Sequence, residues 1–184
     1  MNVAQKTDIC TGCGMCAAIC PSSAIQMQPD EHGFLHPVVD AAKCTDCGLC
    51  ARKCPASMPP QVSAHTDILA GYAKDATLLT KSSSGAIFPV LAAEIIRRGG
   101  LVFGAAFDRQ FHVAHTAAES VEELSALCSS KYVQSCVSAD CYAQIETALA
   151  NGQWVYFSGT PCQVAALKSY LGRDYETLIT QDTA

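Results

Sequence analysis

Eight of the twelve cysteines of this 184-residue chain stand in two copies of one pattern, C-x2-C-x2-C-x3-C-P. The copies contain, in order, Cys10, Cys13, Cys16 and Cys20, and then Cys44, Cys47, Cys50 and Cys54. Thiolates at this spacing suit the corners of a [4Fe–4S] cube, and two copies suit two cubes. The chemistry that the pattern predicts is therefore the transfer of single electrons.

The spacing also predicts which cysteines share a cube. Three thiolates with two residues between neighbours can curl around three irons, and Gly12, Gly14 and Gly48 allow the tight turns that this needs. The fourth cysteine comes three residues later, where a short helix carries it to the other cube and a proline then ends the helix. The predicted ligand sets are therefore Cys10, Cys13, Cys16 and Cys54 for one cube, and Cys44, Cys47, Cys50 and Cys20 for the other.

Two other uses of these cysteines are less consistent with the pattern. Structural zinc sites use paired CxxC or mixed Cys/His sets, which a duplicated run of four cysteines fits poorly. A disulfide framework needs an oxidising compartment, yet the first eight residues contain no apolar signal segment. We therefore expect a reducing cytoplasm, poor in oxygen, as the location of the protein.

Composition excludes several classes of function. An apolar fraction of 49% and a charged fraction of 16% are typical of a folded protein with a core. There is no run of about 18 apolar residues, so no membrane span is expected. The formal net charge of −5 disfavours binding to nucleic acid, which requires a basic face.

The pattern of apolar residues changes along the chain and predicts two domains. We predict an α+β ferredoxin-type domain with two [4Fe–4S] clusters at residues 1–57, a proline-containing linker at 58–67, and an incomplete mixed α/β domain at 68–184. Strands are predicted in a hairpin at 24–28 and 34–40, and then at 68–72, 101–107, 111–116, 154–157 and 178–182. Helices are predicted at 86–98, 120–127, 140–150 and 162–171.

Three segments of the second domain carry a resemblance to a known family. They are Lys81-Ser-Ser-Ser-Gly-Ala-Ile-Phe88, Ser130-Lys-Tyr-Val-Gln-Ser135 and Phe157-Ser-Gly-Thr-Pro-Cys-Gln-Val-Ala-Ala-Leu167. They resemble motifs of the beta subunits of coenzyme F-420 hydrogenases and dehydrogenases, in the same order, although Ala86 replaces a glycine of that family. The resemblance implies an iron–sulfur flavoprotein that passes electrons between [4Fe–4S] clusters, FAD and a deazaflavin or other organic acceptor.

The resemblance also implies a set of flavin-binding residues, namely Ser83, Ser84, Gly85, Lys131, Gln134, Thr160 and Gln163. From the residues alone, the Ser83-Ser84-Gly85 turn at a helix start could bind a pyrophosphate, or could be a simple helix cap. Lys131 could pair with a phosphate or lie on the surface. No catalytic residue is predicted.

Cys162 has two possible roles. Thr160 as helix cap and Pro161 at the first helical position place this thiol in the first turn, where the helix dipole favours a thiolate. It could equally be a small buried apolar residue. The resemblance implies that the family's cysteine at this position is the first ligand of a further cluster. The other ligands of that cluster follow the family's strand that matches residues 178–182 of this chain. This chain contains no cysteine after that strand. We therefore expect that it is a fragment, that Cys162 is a free thiol and that FAD binds weakly. Cys128, Cys136 and Cys141 are also expected to be unligated.

These observations favour an iron–sulfur flavoprotein oxidoreductase subunit that works with a redox partner protein or other subunits, and with a small organic electron acceptor. The chain alone could be inactive. The alternative is a ferredoxin-type electron carrier whose second domain only docks a partner.

Overall fold

A computed structural model describes Val3, residues 7–58 and residues 67–183. We refer to residues 7–58 as the N-terminal module and to residues 67–183 as the second module. The linker predicted at 58–67 lies almost wholly outside the described residues.

The N-terminal module consists of a hairpin and two single-turn helices. In chain order the elements are helix α1 (Met15–Ala18), strands β1 (Ile25–Pro29) and β2 (Leu35–Val39), and helix α2 (Leu49–Arg52). Short 3-10 turns lie at Thr7–Ile9 and Pro55–Ser57. The predicted hairpin is confirmed: β1 and β2 pair antiparallel from Ile25 opposite Val39 to Pro29 opposite Leu35.

The second module is a mixed α/β unit built on a four-stranded sheet. Its helices are α3 (Ala76–Thr80), α4 (Ile87–Arg97), α5 (Leu124–Leu127), α6 (Ala139–Ala150) and α7 (Pro161–Leu171). Its strands are β3 (Leu101–Phe107), β4 (Val113–Ala118), β5 (Val155–Gly159) and β6 (Leu178–Asp182). The strand order is β4-β3-β5-β6, with β4 antiparallel to β3 and the other two pairs parallel. No described helix is long and apolar enough to cross a membrane.

Helices cover both faces of this sheet. Since successive side chains of a strand point to opposite faces, one strand can contribute to a core on each side. Val155 and Phe157 of β5 pack with α6 and α7 in one core. Tyr156, between them, packs with α4 and α5 in a second core on the other face. Met15 of the N-terminal module belongs to the first of these cores. The N-terminal module therefore packs on the side of the sheet that α6 and α7 cover.

The predicted strand at 68–72 is wrong. Ile68 and Leu69 are 93% and 91% exposed, and neither belongs to a strand. The prediction rested on a short apolar run without alternation, a pattern that does not by itself define a strand. The chain instead folds over the turn before α4, where the Ala73 N–H donates to the Gly85 carbonyl at 2.8 Å. A side chain at Gly85 would place its Cβ 2.5 Å from the Gly71 carbonyl oxygen, so this approach requires glycine.

The helix predicted at 120–127 begins later than expected. The Glu123 carboxylate accepts hydrogen bonds from the N–H groups of Glu119 and Ser120, at 2.7 and 3.3 Å. The Glu123 N–H donates in return to Ser120 Oγ at 3.4 Å, so both halves of a capping box are present. The residues between form a turn, and α5 starts only at Leu124.

Candidate iron–sulfur site

Four thiols from distant parts of the N-terminal module surround one cavity, which we call the first site. They belong to Cys10, Cys13, Cys16 and Cys54. Met15, Met27 and Pro37 complete its largely apolar wall. The first site thus combines three cysteines of the first run with the last cysteine of the second run.

The other four thiols surround a second cavity, which we call the second site. They belong to Cys20, Cys44, Cys47 and Cys50. The lining runs from Cys20 to Cys50, and Ile25 and Leu49 contribute apolar side chains. The eight thiols therefore form two sets of four with the last members exchanged, which is the grouping expected from the spacing. That these thiols bind iron stays a prediction.

The exchange follows from the local folding of each run. Gly14 and Gly48 have φ values of 78° and 70°, in the left-handed region that glycine adopts readily, and each precedes a helix of one turn. The third cysteine of each run lies inside that helix, facing its own loop. The fourth lies two residues beyond the end of the helix, Cys20 after α1 and Cys54 after α2. One helical turn is thus enough to carry the fourth thiol to the neighbouring cavity.

The surroundings of the first site disfavour the ionised form of its buried thiols. Burial, together with the nearby Cys13 and Cys10 thiolates, raises the pKa of Cys16 to about 12. Burial also raises the pKa of Cys13, and the thiolates of Cys162 and Cys54 add to that effect. Four thiolates in such a space would repel one another, so their joint ionisation would require a cationic group between them, a role that the iron ions of a cluster could fill.

Backbone N–H groups point at two of the sulfur atoms. Gly12 N–H donates to Cys10 Sγ and Ala24 N–H donates to Cys20 Sγ, both at 3.4 Å. Burial, the largest influence on Cys20, raises its pKa, but hydrogen bonds from Ala24 and Ser22 outweigh it and lower the pKa overall. Hydrogen bonds to sulfur are among the factors that set the potential of an iron–sulfur cluster.

The arrangement suits a polynuclear cluster better than a single ion. Across residues 7–58 and 67–183, no three His, Cys, Asp or Glu side chains converge closely enough to hold one metal ion. A zinc ion needs four donors at about 2.3 Å for sulfur. The eight thiols instead surround two cavities, as the separate irons of two cubes would require.

The second module forms part of the first site's surroundings. Tyr142 Oη donates to the Cys13 carbonyl at 2.9 Å, and a Cβ on Gly14 would lie 2.5 Å from the Val137 carbonyl oxygen. Gln134 Oε1 accepts from the Leu35 N–H at 2.8 Å. The sequence analysis did not identify Tyr142. The signal that could have found it is a tyrosine in the apolar stripe of a predicted helix, since a buried tyrosine hydroxyl usually has a hydrogen-bond partner.

The structure brings together the three segments that carry the family resemblance. Ser83 Oγ accepts from the Ser130 N–H at 3.2 Å, which joins the first segment to the second. Gln163 Nε2 donates to Ser135 Oγ at 2.7 Å and to the Ser135 carbonyl at 3.2 Å, which joins the second segment to the third. Ser84 has a left-handed φ of 52° in the turn that leads to α4.

Several of the predicted flavin-binding side chains are already engaged with the protein. Lys131 Nζ donates to the carbonyls of Ala126 and Cys128, at 3.0 and 2.7 Å, and burial lowers its pKa. Gln134 contacts the N-terminal module, as above. The Thr160 N–H donates to Gln163 Oε1 at 2.9 Å.

Cys162 lies in the first turn of α7, as predicted. Its Sγ is 3.1 Å from Thr160 Oγ1. It is also close enough to the first site to influence Cys13 electrostatically.

A buried histidine was also missed. His115 is 6% exposed, its Nε2 lies 3.0 Å from the Ser158 carbonyl oxygen, and its ring stacks on Phe157 at 5.1 Å. Its Nδ1 has no hydrogen-bond partner among the described residues, and burial lowers the pKa of the imidazole to about 4. The signal in the sequence was its position in a predicted strand, two residues after Val113, so that both side chains lie on the same face of the sheet.

Comparison with known proteins identifies the cysteine-bearing part of the chain. Residues 9–58 match the family described as the 4Fe-4S dicluster domain. The N-terminal module is a ferredoxin-type dicluster domain. No curated protein matches the chain.

Among solved structures, the chain is similar to one chain of the F420-reducing [NiFe] hydrogenase complex from Methanosarcina barkeri, from a study of xenon derivatization. The sequence identity is 20% and the TM-score 0.42, over 52% of this chain and 33% of that chain. The match spans about a third of the hydrogenase chain, and a likeness of this degree carries no conclusion about function.

Proposed function

We propose that this chain is an electron-transfer protein that holds two [4Fe–4S] cubes with crossed ligand sets. The observation that carries the proposal is the arrangement of eight thiols as two cavities of four. Cys10, Cys13, Cys16 and Cys54 hold one cube, and Cys44, Cys47, Cys50 and Cys20 hold the other. Each cube, when bound, accepts or releases one electron.

The remaining residues of the dicluster domain tune and protect these sites. The apolar side chains of Met15, Met27 and Ile25 shield part of each site from water, and the N–H groups of Gly12 and Ala24 compensate negative charge on the ligands. Thiolates in this number call for a reducing compartment with little oxygen, which fits the cytoplasm. In this proposal the cluster domain occupies residues 1–57, a linker 58–67, and an acceptor domain 68–184.

We further propose that the second domain takes a flavin, so that the protein belongs to an oxidoreductase which delivers electrons to a deazaflavin or other organic acceptor. One-electron carriers and two-electron acceptors need a cofactor that handles both, and FAD supplies that chemistry. Support comes from the contacts of Ser83 with Ser130 and of Gln163 with Ser135, which gather the three family-like segments. The buried Ser82 Oγ, in the turn between α3 and α4, has no partner among the described residues and could donate to a pyrophosphate. Other subunits or a redox protein would then be the partners.

A second candidate is a ferredoxin-type carrier whose second domain only docks a partner. It is favoured by the engagement of Lys131 Nζ and the Gln134 and Gln163 amides with protein groups, which leaves them less available to a flavin. The two candidates agree on the cubes and differ only in the flavin.

Visible spectroscopy of anaerobically purified protein, with the flavin extracted and counted, separates these candidates. Clusters alone give a broad shoulder that reductant bleaches, whereas flavin adds resolved bands. Because FAD binding by this chain is expected to be weak, we expect less than one flavin per chain. Its content should fall in Ser82→Ala but not in Ser125→Ala, whose hydroxyl donates to the Glu122 carbonyl on the surface. A bleachable shoulder without extractable flavin would favour the carrier, and no shoulder at all would contradict both.

A further inference from the structure

We infer that the two cube sites are not equivalent: Gln134 and Tyr142 of the second module position the ligand loop of the first site, while the second site is built within the N-terminal module. The inference rests on the proposed function, since it concerns the sites that hold the cubes. It assigns to Gln134 a different role from the flavin contact that the sequence resemblance implies. Gln134 and Tyr142 are positioning residues, because each acts on a cube through a ligand loop.

Gln134 connects the first cysteine loop to the hairpin. Its Oε1 accepts from the Leu35 N–H at 2.8 Å, and its Nε2 donates to the Thr11 carbonyl at 3.5 Å. Thr11 follows the ligand Cys10 directly. A Cβ on Gly12 would overlap the Gln134 amide, and it would also lie 2.7 Å from the Leu35 carbonyl oxygen. The absence of a side chain at Gly12 therefore makes room for the amide of Gln134.

Tyr142 acts on the next ligand of the same loop. Its side chain is fully buried, and its hydroxyl donates to the Cys13 carbonyl at 2.9 Å. The ring of Tyr170 packs on it with centroids 5.0 Å apart, which restricts the ring of Tyr142. Because a buried hydroxyl without a partner is unfavourable, this bond fixes the Cys13 peptide in one orientation.

The fourth ligand of the first site is held by the second module as well. Lys53, directly before Cys54, exchanges two hydrogen bonds with Ser169 of α7. The Ser169 Oγ donates to the Lys53 carbonyl at 2.6 Å, and Lys53 Nζ donates to the Ser169 carbonyl at 3.3 Å. The contacts at Thr11, Cys13 and Lys53 thus all adjoin ligands of the first site.

The second site differs in its surroundings. Its lining residues lie between Cys20 and Cys50, within the N-terminal module, and Cys47 is exposed. Each site has one buried thiol, Cys16 or Cys50, but the first site itself lies against the core of α6 and α7, because its lining residue Met15 belongs to that core. Ile19, directly before Cys20, also packs on that core, but the hydrogen bonds of Gln134 and Tyr142 reach the loop of the first site. A change at Gln134 or Tyr142 should therefore act on the first cube and leave the second cube unaffected.

Reduction potentials test this directly. Tyr142→Phe removes a hydroxyl dipole whose positive end faces the Cys13 peptide, so the potential of the first cube should become more negative. The change is introduced into Cys20→Ser, which retains the first cube, and into Cys54→Ser, which retains the second. We expect a shift in the Cys20→Ser background alone. Tyr170→Phe, whose hydroxyl bonds the exposed Glu146, is the matched control and should shift neither. Equal shifts in both backgrounds, or a shift in neither, would overturn the inference.

Iron release to a chelator gives a second readout in the protein with both cubes. Gln134→Ala should release about half of the iron severalfold faster, as loss of one or two hydrogen bonds allows, and leave the other half unchanged. Gln134→Glu, which keeps the acceptor for the Leu35 N–H, should partly restore the rate. Gln153→Ala, which removes an amide bonded to the Gly99 carbonyl, is the control. Faster release of all the iron would overturn the inference, whereas a parent protein without iron and sulfide would contradict the proposed function itself.

Discussion

At the scale of single residues, the exchange of the last cysteine between the two runs has the clearest consequence. Cys54 is close in sequence to Cys50 but lines the cavity of Cys10, Cys13 and Cys16. Cys54→Ser should therefore reduce the iron content from about eight to about four per chain by damaging the first cube, which lies far from it in sequence. Iron analysis with spectroscopy of the remaining cube measures this.

The matched control is Cys20→Ser, which makes the same change at the other exchanged position. It should remove the second cube, held by Cys44, Cys47 and Cys50, and spare the first. Loss in either variant of the cube nearest in sequence would contradict the crossed assignment.

His115 gives a prediction about pH. Its pKa of about 4 lies below the ordinary value of about 6.5 because burial disfavours the imidazolium. Between these values the unfolded chain binds a proton that the folded chain does not. The free energy of unfolding should therefore be independent of this group above pH 7 and should fall by about 2–3 kcal/mol as the pH drops towards 4.

Denaturant unfolding of the parent protein and of His115→Gln, at pH 7 and at pH 4.5, isolates this contribution. Glutamine keeps a side-chain donor but has no titrating group in this range. The parent should lose more stability than the variant on acidification. The same loss in both would mean that His115 does not titrate with the depressed pKa.

At the scale of elements, both ligand-bearing helices begin at a glycine in the left-handed conformation, and Gly14 has a second constraint. Gly14→Ala should lower the free energy of unfolding by more than the 1–2 kcal/mol, roughly, of left-handed strain, because the new Cβ would lie 2.5 Å from the Val137 carbonyl oxygen. Gly33→Ala is the control, since Gly33 has a φ of 85° and open space around it. Urea unfolding should give a clearly larger effect for Gly14→Ala, and equal effects would contradict the close contact between the modules.

The elements that sequence patterns predicted well are those whose signal is local. The β1–β2 hairpin, α4 and α7 follow from alternation, helical periodicity and caps, which neighbouring residues determine. The segment at 68–72 was mispredicted because a short apolar run without alternation does not by itself define a strand. The grouping of the eight thiols around two cavities agrees with the cysteine spacing, and their binding of iron stays a prediction. The contacts of Gln134 with Leu35 and of Tyr142 with Cys13 could not be predicted, since they join residues 99 and 129 positions apart.

At the scale of the whole molecule, the dicluster domain packs against the second module on the side of the sheet that α6 and α7 cover. Met15 lies in the core of α6 and α7, and the Lys53–Ser169 bonds extend the contact to the end of α7. This packing brings the first site, and Cys162 beside it, next to the part of the protein proposed to receive the electrons. The proposed transfer of electrons between the two modules therefore requires that both cavities hold cubes.

The most direct test of that claim is the count of iron and acid-labile sulfide in anaerobically purified protein. Two cubes predict about eight irons and about eight sulfides per chain, unchanged by Cys162→Ser because that thiol belongs to neither site. Bound zinc, or iron without sulfide, would contradict the claim that the two cavities hold [4Fe–4S] clusters. About twelve irons, reduced by Cys162→Ser, would instead reveal a further cluster outside the two sites.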